Sequence, residues 1–179
     1  METLFWDKHK IGMYLLKRDH LYRCIRENEK GKIIEYAWRI GEEAADEMKK
    51  EYPFYLPSQI AVKKDISLTE SVVEQGWNYS EYLPRKNEII LYKKKILDSN
   101  LPEEEKFKQY QSYSKRRELF IAHELFHYLE YNNPRVKGFR KQYQITVLDL
   151  KFCSLKRQLV SMSEIGAYGF TKKFFEIDS

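Results

Sequence analysis

Arg116-Arg-Glu-Leu-Phe-Ile-Ala-His-Glu-Leu-Phe-His-Tyr-Leu-Glu130 is the stretch on which the reading of this chain turns. Leu119, Ala122, Phe126 and Leu129 recur at steps of three and four with no Gly or Pro among them, which predicts a helix. His123 and His127 are four residues apart, so their side chains stack on one helix face about one turn (~5.4 Å) apart. That spacing lets two imidazoles clamp one metal ion. Glu124 sits beside the first His but off that face, where a carboxylate can take a proton from a reacting water without ligating the metal.

The pattern His-Glu-x-x-His is the zinc-peptidase signature. With 4 His in 179 residues, chance produces it in about one chain in a hundred of this composition. The neighbours Leu125, Phe126, Tyr128 and Leu129 are uncharged, which predicts a largely buried helix. A buried His or Glu must find a partner or cost several kcal/mol, so the bland alternative is a set of hydrogen-bonded core polar residues.

Composition sets the frame. At 179 residues the chain suits one domain, 1–179, with a proper core. Tyr (14) and Phe (10) are abundant while Gly (7) and Pro (5) are scarce, predicting an aromatic core and long elements. The net charge of +5 arises from 32 bases interspersed with 27 acids, a weak excess that does not demand nucleic acid as a direct partner. Cys24 and Cys153 form no Cys-x-x-Cys, so a reducing compartment is expected. No run of signal-peptide or transmembrane length is seen, so the expected location is cytoplasmic and no membrane partner is expected.

Along the chain, 8–28 and 33–51 have helical spacing, the second with a stripe of Ile33, Ala37, Ile40, Ala44 and Met48. Pro53 and Pro57 break it. Gln59 to Lys63 reads as a short strand, and Ser67-Leu-Thr-Glu70 has capping-box form for a short helix ending at Gly76. Trp77 to Leu83 alternates loosely, and Asn87 to Lys93 is the best strand. Pro102 and three acids suit the start of a long helix over 102–131, stopped by Asn132-Asn-Pro134. Gly138 to Leu150 holds another strand. Ser161 or Ser163 caps a last helix to about Phe175, with Ile165, Tyr168 or Gly169, and Phe170 inward. The basic clusters Lys93-Lys-Lys95 and Lys156-Arg157 read as solvated faces.

A catalytic zinc site wants three protein ligands and leaves the fourth position open. The metzincin third His would fall on Asn133, with Gly expected at Glu130, so that subclass is excluded. Three carboxylates remain open on spacing alone. Glu130 lies on the ligand face and serves either as ligand or as support to one, Asp149 lies on a strand, and Glu164 opens the last helix.

The order of the strand Glu88-Ile-Ile-Leu-Tyr92, then Phe120-Ile-Ala-His-Glu-Leu-Phe-His-Tyr-Leu129, then Ser163-Glu-Ile-Gly-Ala-Tyr-Gly-Phe170 resembles the ImmA/IrrE-type metallopeptidases. The similarity is clear over 87–131 and 163–175 and architectural elsewhere. Glu164, Ala167 and Phe170 match the family's second motif, so the resemblance implies Glu164 as third ligand. It also implies cleavage of a transcriptional repressor or other regulator, in the manner of phage or mobile-element anti-repressors and stress switches. Four departures stand out: Phe126 for the family's Gly, Tyr168 for its Asn or Asp, Thr171 for its small residue, and Lys172-Lys-Phe-Phe-Glu-Ile-Asp-Ser179 for its apolar continuation.

The expectation is therefore an α+β, zincin-like domain: a small, mainly antiparallel sheet packed against the motif helix, with flanking helices. His123, His127 and Glu164 bind Zn2+, or another divalent ion such as Mn2+, and Glu124 is the general base of an endopeptidase. Tyr128 or another Tyr or His stabilises the oxyanion. The alternative is a catalytically inactive module of this fold that acts by protein–protein binding, for which Phe126 beside the ligands is the main argument. A nucleic-acid binder is the weakest reading.

Overall fold

The computed structural model describes residues 7–72, 78–99, 105–150 and 153–177, and of 105, 106, 148–150, 153 and 154 the backbone alone. Helices carry most of the chain. α1 (Lys8–Arg18) and α2 (Glu27–Glu51) are followed by the short α3 (Pro57–Lys63), then the strands β1 (Ser67–Ser71), β2 (Ser80–Leu83) and β3 (Glu88–Tyr92). α4 (Lys93–Asp98), α5 (Glu105–Lys108) and the motif helix α6 (Tyr113–Asn132) come next. The hairpin β4 (Gln144–Leu150) and β5 (Cys153–Gln158) leads into α7 (Ser161–Phe174). The fold class is α+β.

The sheet differs from the mainly antiparallel one expected. Its order is β1-β3-β2, with β1 parallel and β2 antiparallel to β3, and β4–β5 is a separate antiparallel pair. Ser67–Ser71 is a strand and not a capped helix, because its backbone pairs with Glu88–Tyr92 and Thr69 Oγ1 donates to Glu88 at 2.6 Å. Gly76 and Trp77 lie outside the described residues. Gln59–Lys63 is helical and not a strand. Pro57 opens that helix, the Leu56 N–H donates to Gln59 at 2.8 Å, and the Ser58 N–H donates to Glu118, 60 residues away, at 2.9 Å.

Two expected helices are divided. The first ends at Arg18 because Asp19 leaves the helix and gives its carboxylate to other donors, the Leu21 N–H (3.0 Å) and both the N–H and hydroxyl of Ser161 (2.9 Å each). Asp19 thus caps α7, whose own residue before the helix is Val160 and whose Ser161 and Ser163 do not cap it. The expected 102–131 helix restarts at Tyr113. The buried guanidinium of Arg116 donates to the carbonyls of Ile96, Leu97, Ser99 and Tyr110, which ties the end of α4 and the 109–112 turn to the new helix.

One hydrophobic core runs from Ile11 to Phe174, and a smaller cluster of Phe107, Tyr110, Leu119 and Ile177 flanks it. Within the core α7 lies between α2 and α6. A Cβ on Gly41 would sit 2.0 Å from the Gly166 carbonyl oxygen, and one on Gly169 would sit 2.6 Å from that of Trp38. Glycine at both points lets α7 press against α2 backbone to backbone. Its other face meets the motif helix. Among the described residues no helix is long and apolar enough to cross a membrane.

Candidate metal centre

α6 presents its two His toward the first turn and a half of α7. His123 Nε2 lies 3.3 Å from Glu164 Oε2, and His127 Nε2 lies 3.5 Å from Glu164 Oε1. One donor atom from each of the three residues falls within 4.8 Å of the other two. Around an ion with bonds of about 2.1 Å, neighbouring ligands of a tetrahedron stand about 3.4 Å apart. The two His–carboxylate separations, each to a different Glu164 oxygen, are close to that edge, so the three residues form a group that could hold a metal ion.

Glu130 is brought to the other side of His127. Its Oε2 accepts from His127 Nδ1 at 3.0 Å and from the Ser163 hydroxyl, and Arg140 Nε lies 3.4 Å from Oε1. Ser163 Oγ is itself 3.1 Å from Nδ1. With Glu130 ionised, the proton of a neutral His127 belongs on Nδ1, which leaves the Nε2 lone pair facing Glu164. Glu130 thus holds the His127 ring from the side away from Glu164. Asp149 lies on β4, opposite Ser154, and its side chain falls outside the described part.

The charges around the pair are strongly coupled. Burial alone pushes the His127 pKa down, but the Glu130 hydrogen bond and the charges of Glu164, Glu124 and Glu130 outweigh it and raise the pKa to about 9. Burial alone pushes Glu164 up, and the His123 hydrogen bond with the charges of His127 and His123 brings it down to about 2. Without a metal the site is thus a cationic imidazole held by carboxylates. A divalent ion would replace that proton.

Glu124 stands apart from the three donors. It is 4% exposed and accepts from the Ser80 hydroxyl at 2.7 Å. Ser80 opens β2, the edge strand of the sheet next to β3, and β2 packs along α6. One carboxylate oxygen is so fixed by the sheet. Nothing in the sequence marked Ser80, since a lone Ser has no pattern. Ser163, expected as one of two caps for the last helix, instead turns its hydroxyl to Glu130 and His127.

Two departures from the resembled motif have a structural explanation. Phe126 does not crowd the ligand face. It is fully buried, its ring 5.8 Å from that of Phe139 and 6.1 Å from that of Phe170. The space comes from Gly166, where a Cβ would lie 2.5 Å from Phe126 Cζ. Tyr168, one turn beyond Glu164, sets its ring edge-on to His123 at 5.2 Å. Burial, then the Glu164 charge, raises its hydroxyl well above the usual phenol range, so it stays protonated. Tyr128 packs on Tyr82 instead, with ring centroids 5.8 Å apart.

In comparisons with known proteins, the chain matches no family model, no curated protein and no solved structure.

Proposed function

We propose that the chain is a zinc-dependent endopeptidase of zincin-like fold. The observation that carries the proposal is the gathering of one donor atom each from His123, His127 and Glu164 within 4.8 Å of one another, with Glu124 next in sequence to His123 and outside that group. Zinc held there supplies a Lewis acid that lowers the pKa of water toward about 7 and polarises a peptide carbonyl. The chain's own residues do the rest. Glu124, with one oxygen held by Ser80, takes the proton of the attacking water and returns it to the leaving amine. Glu130 and Ser163 keep the His127 ring oriented. Tyr168, protonated, sets its ring edge-on against His123.

That the substrate is a repressor or other regulatory protein follows only from the resemblance of the two motifs. The test is Glu124→Gln in the zinc-loaded protein, assayed on candidate regulators and on a peptide library. The expected outcome is loss of cleavage by a factor of 10² or more with zinc retained. Equal function of the variant and the parent would overturn catalysis and leave a metal-bearing binding module.

A further inference from the structure

The two His of α6 do not stand alone on their face. Phe120 lies three residues before His123 and Tyr131 four after His127, so aromatic side chains continue the stripe of imidazoles in both directions. Each meets a tyrosine from the sheet side. Phe120 packs on Tyr79, just ahead of β2, with ring centroids 5.2 Å apart, and Tyr131 packs on Tyr82 of β2 at 6.2 Å. Between these pairs Ser80 holds Glu124. The order Tyr79, Ser80, Tyr82 along β2 therefore runs beside the order Phe120, Glu124, Tyr131 along α6, with both His inside that interval. Tyr79, Tyr82 and Phe120 rest on the core with part of each ring at the surface, and Tyr131 is 55% exposed.

The charges nearby favour an apolar occupant. No Lys or Arg occurs between Arg117 and Arg135 or within β2, so neither element brings a cation to receive an acidic side chain. The acids are engaged as well: Glu81 of β2 accepts from the Tyr92 hydroxyl, and Glu130 from His127 and Ser163. From Phe120 to Tyr131 the helix rises about 16 Å, the reach of about five residues of extended peptide. We propose that the pairs Tyr79–Phe120 and Tyr82–Tyr131 are subsites for large apolar or aromatic side chains, one on each side of the bond to be cut. This rests on the metal centre being that of a peptidase. The substrate is then an extended segment with such residues at both ends of a stretch of about five.

The test uses the zinc-loaded full chain and two sets of hydroxamates, which hold zinc directly and need no turnover. Acetyl-Ala-Xaa hydroxamates carry Xaa on one side of the metal, and malonyl hydroxamates of Xaa amides carry it on the other. Burial of one such side chain corresponds to about 10- to 100-fold in affinity, so by calorimetry Phe and Leu probes should bind at least about 10-fold tighter than Ala probes in both sets. Asp and Lys probes should bind no tighter than Ala. Phe120→Ala lowers the Phe-to-Ala ratio toward one in one set, and Tyr131→Ala lowers it in the other, with zinc content unchanged. Tyr79→Ala stands in for Phe120→Ala should thermal melts show that variant unfolded. Equal binding whatever Xaa, a preference for Asp or Lys, or unchanged ratios in both variants overturns the subsites and leaves the peptidase standing. A chain that takes up no zinc, or a zinc-loaded chain that binds no probe, overturns both.

Discussion

Glu130 is the most informative residue to replace, because spacing leaves it open as a ligand while its carboxylate meets His127 Nδ1, on the side away from Glu164. Glu130→Ala removes the acceptor of His127 Nδ1 and of the Ser163 hydroxyl together, and it leaves the half-buried Arg140 without its carboxylate. Losing the partner that orients a ligating His costs about 10- to 100-fold in metal affinity, about 1.4 to 2.7 kcal/mol. The double loss at His127 places Ala near the upper end. Glu130→Gln, which keeps a neutral acceptor, belongs near the lower end. The assay is competition for zinc against a chromophoric chelator across pH. In the parent protein, affinity rises about tenfold per pH unit up to about 9, because zinc displaces the proton of His127. In Glu130→Ala that break moves to lower pH, since a hydrogen bond that raises the His127 pKa is gone. Unchanged affinity in Glu130→Ala would refute the supporting role. Complete loss of stoichiometric zinc there, with zinc retained in Glu164→Ala, would make Glu130 the ligand.

Three further outcomes follow from the packing and the charges. Gly166→Ala puts a methyl 2.5 Å from the buried Phe126 ring and should cost about 1 to 3 kcal/mol in urea melts; Phe126→Leu should recover part of that loss, and strict additivity of the two would contradict the pairing. Asp19→Ala removes the distant cap of α7 and leaves donors of Ser161 unsatisfied, so a loss of about 1 to 2 kcal/mol with weakened zinc binding is expected; an unchanged melt would refute the capping role. In the metal-free protein the raised His127 pKa contributes stability that is full below about 6.5 and is lost as pH rises through about 9. The lowered Glu164 pKa contributes stability that is full above about 4.5 and is lost as pH falls through about 2. Both draw on one ion pair, so metal-free melting temperatures should be highest between about pH 4.5 and 6.5, and a maximum above pH 9 would contradict the pairing.

The motif helix and the strand ahead of it were readable because their signals are local. Leu119, Ala122, Phe126 and Leu129 mark one helix face, and Ile89, Ile90 and Leu91 form an apolar run that becomes the central strand. The misread segments took their structure from distant partners. α3 is started in part by Glu118, α7 is capped by Asp19, and the break before α6 is held by Arg116 on carbonyls of an earlier helix. None of these leaves a trace in a window of ten residues. Glu164 was within reach only through the resemblance, since spacing alone left three carboxylates open. Phe126 showed as an oddity in the sequence, and its explanation lies 40 residues on at Gly166, in a contact that no periodicity announces.

Metal content of the purified protein, compared among the parent, His123→Ala and Glu164→Ala, tests the central claim most directly. The account predicts about one zinc per chain in the parent and none retained in either variant, with all three folded by circular dichroism. A parent that takes up no zinc even when the ion is added back would contradict it, and so would a Glu164→Ala protein that still holds a full equivalent.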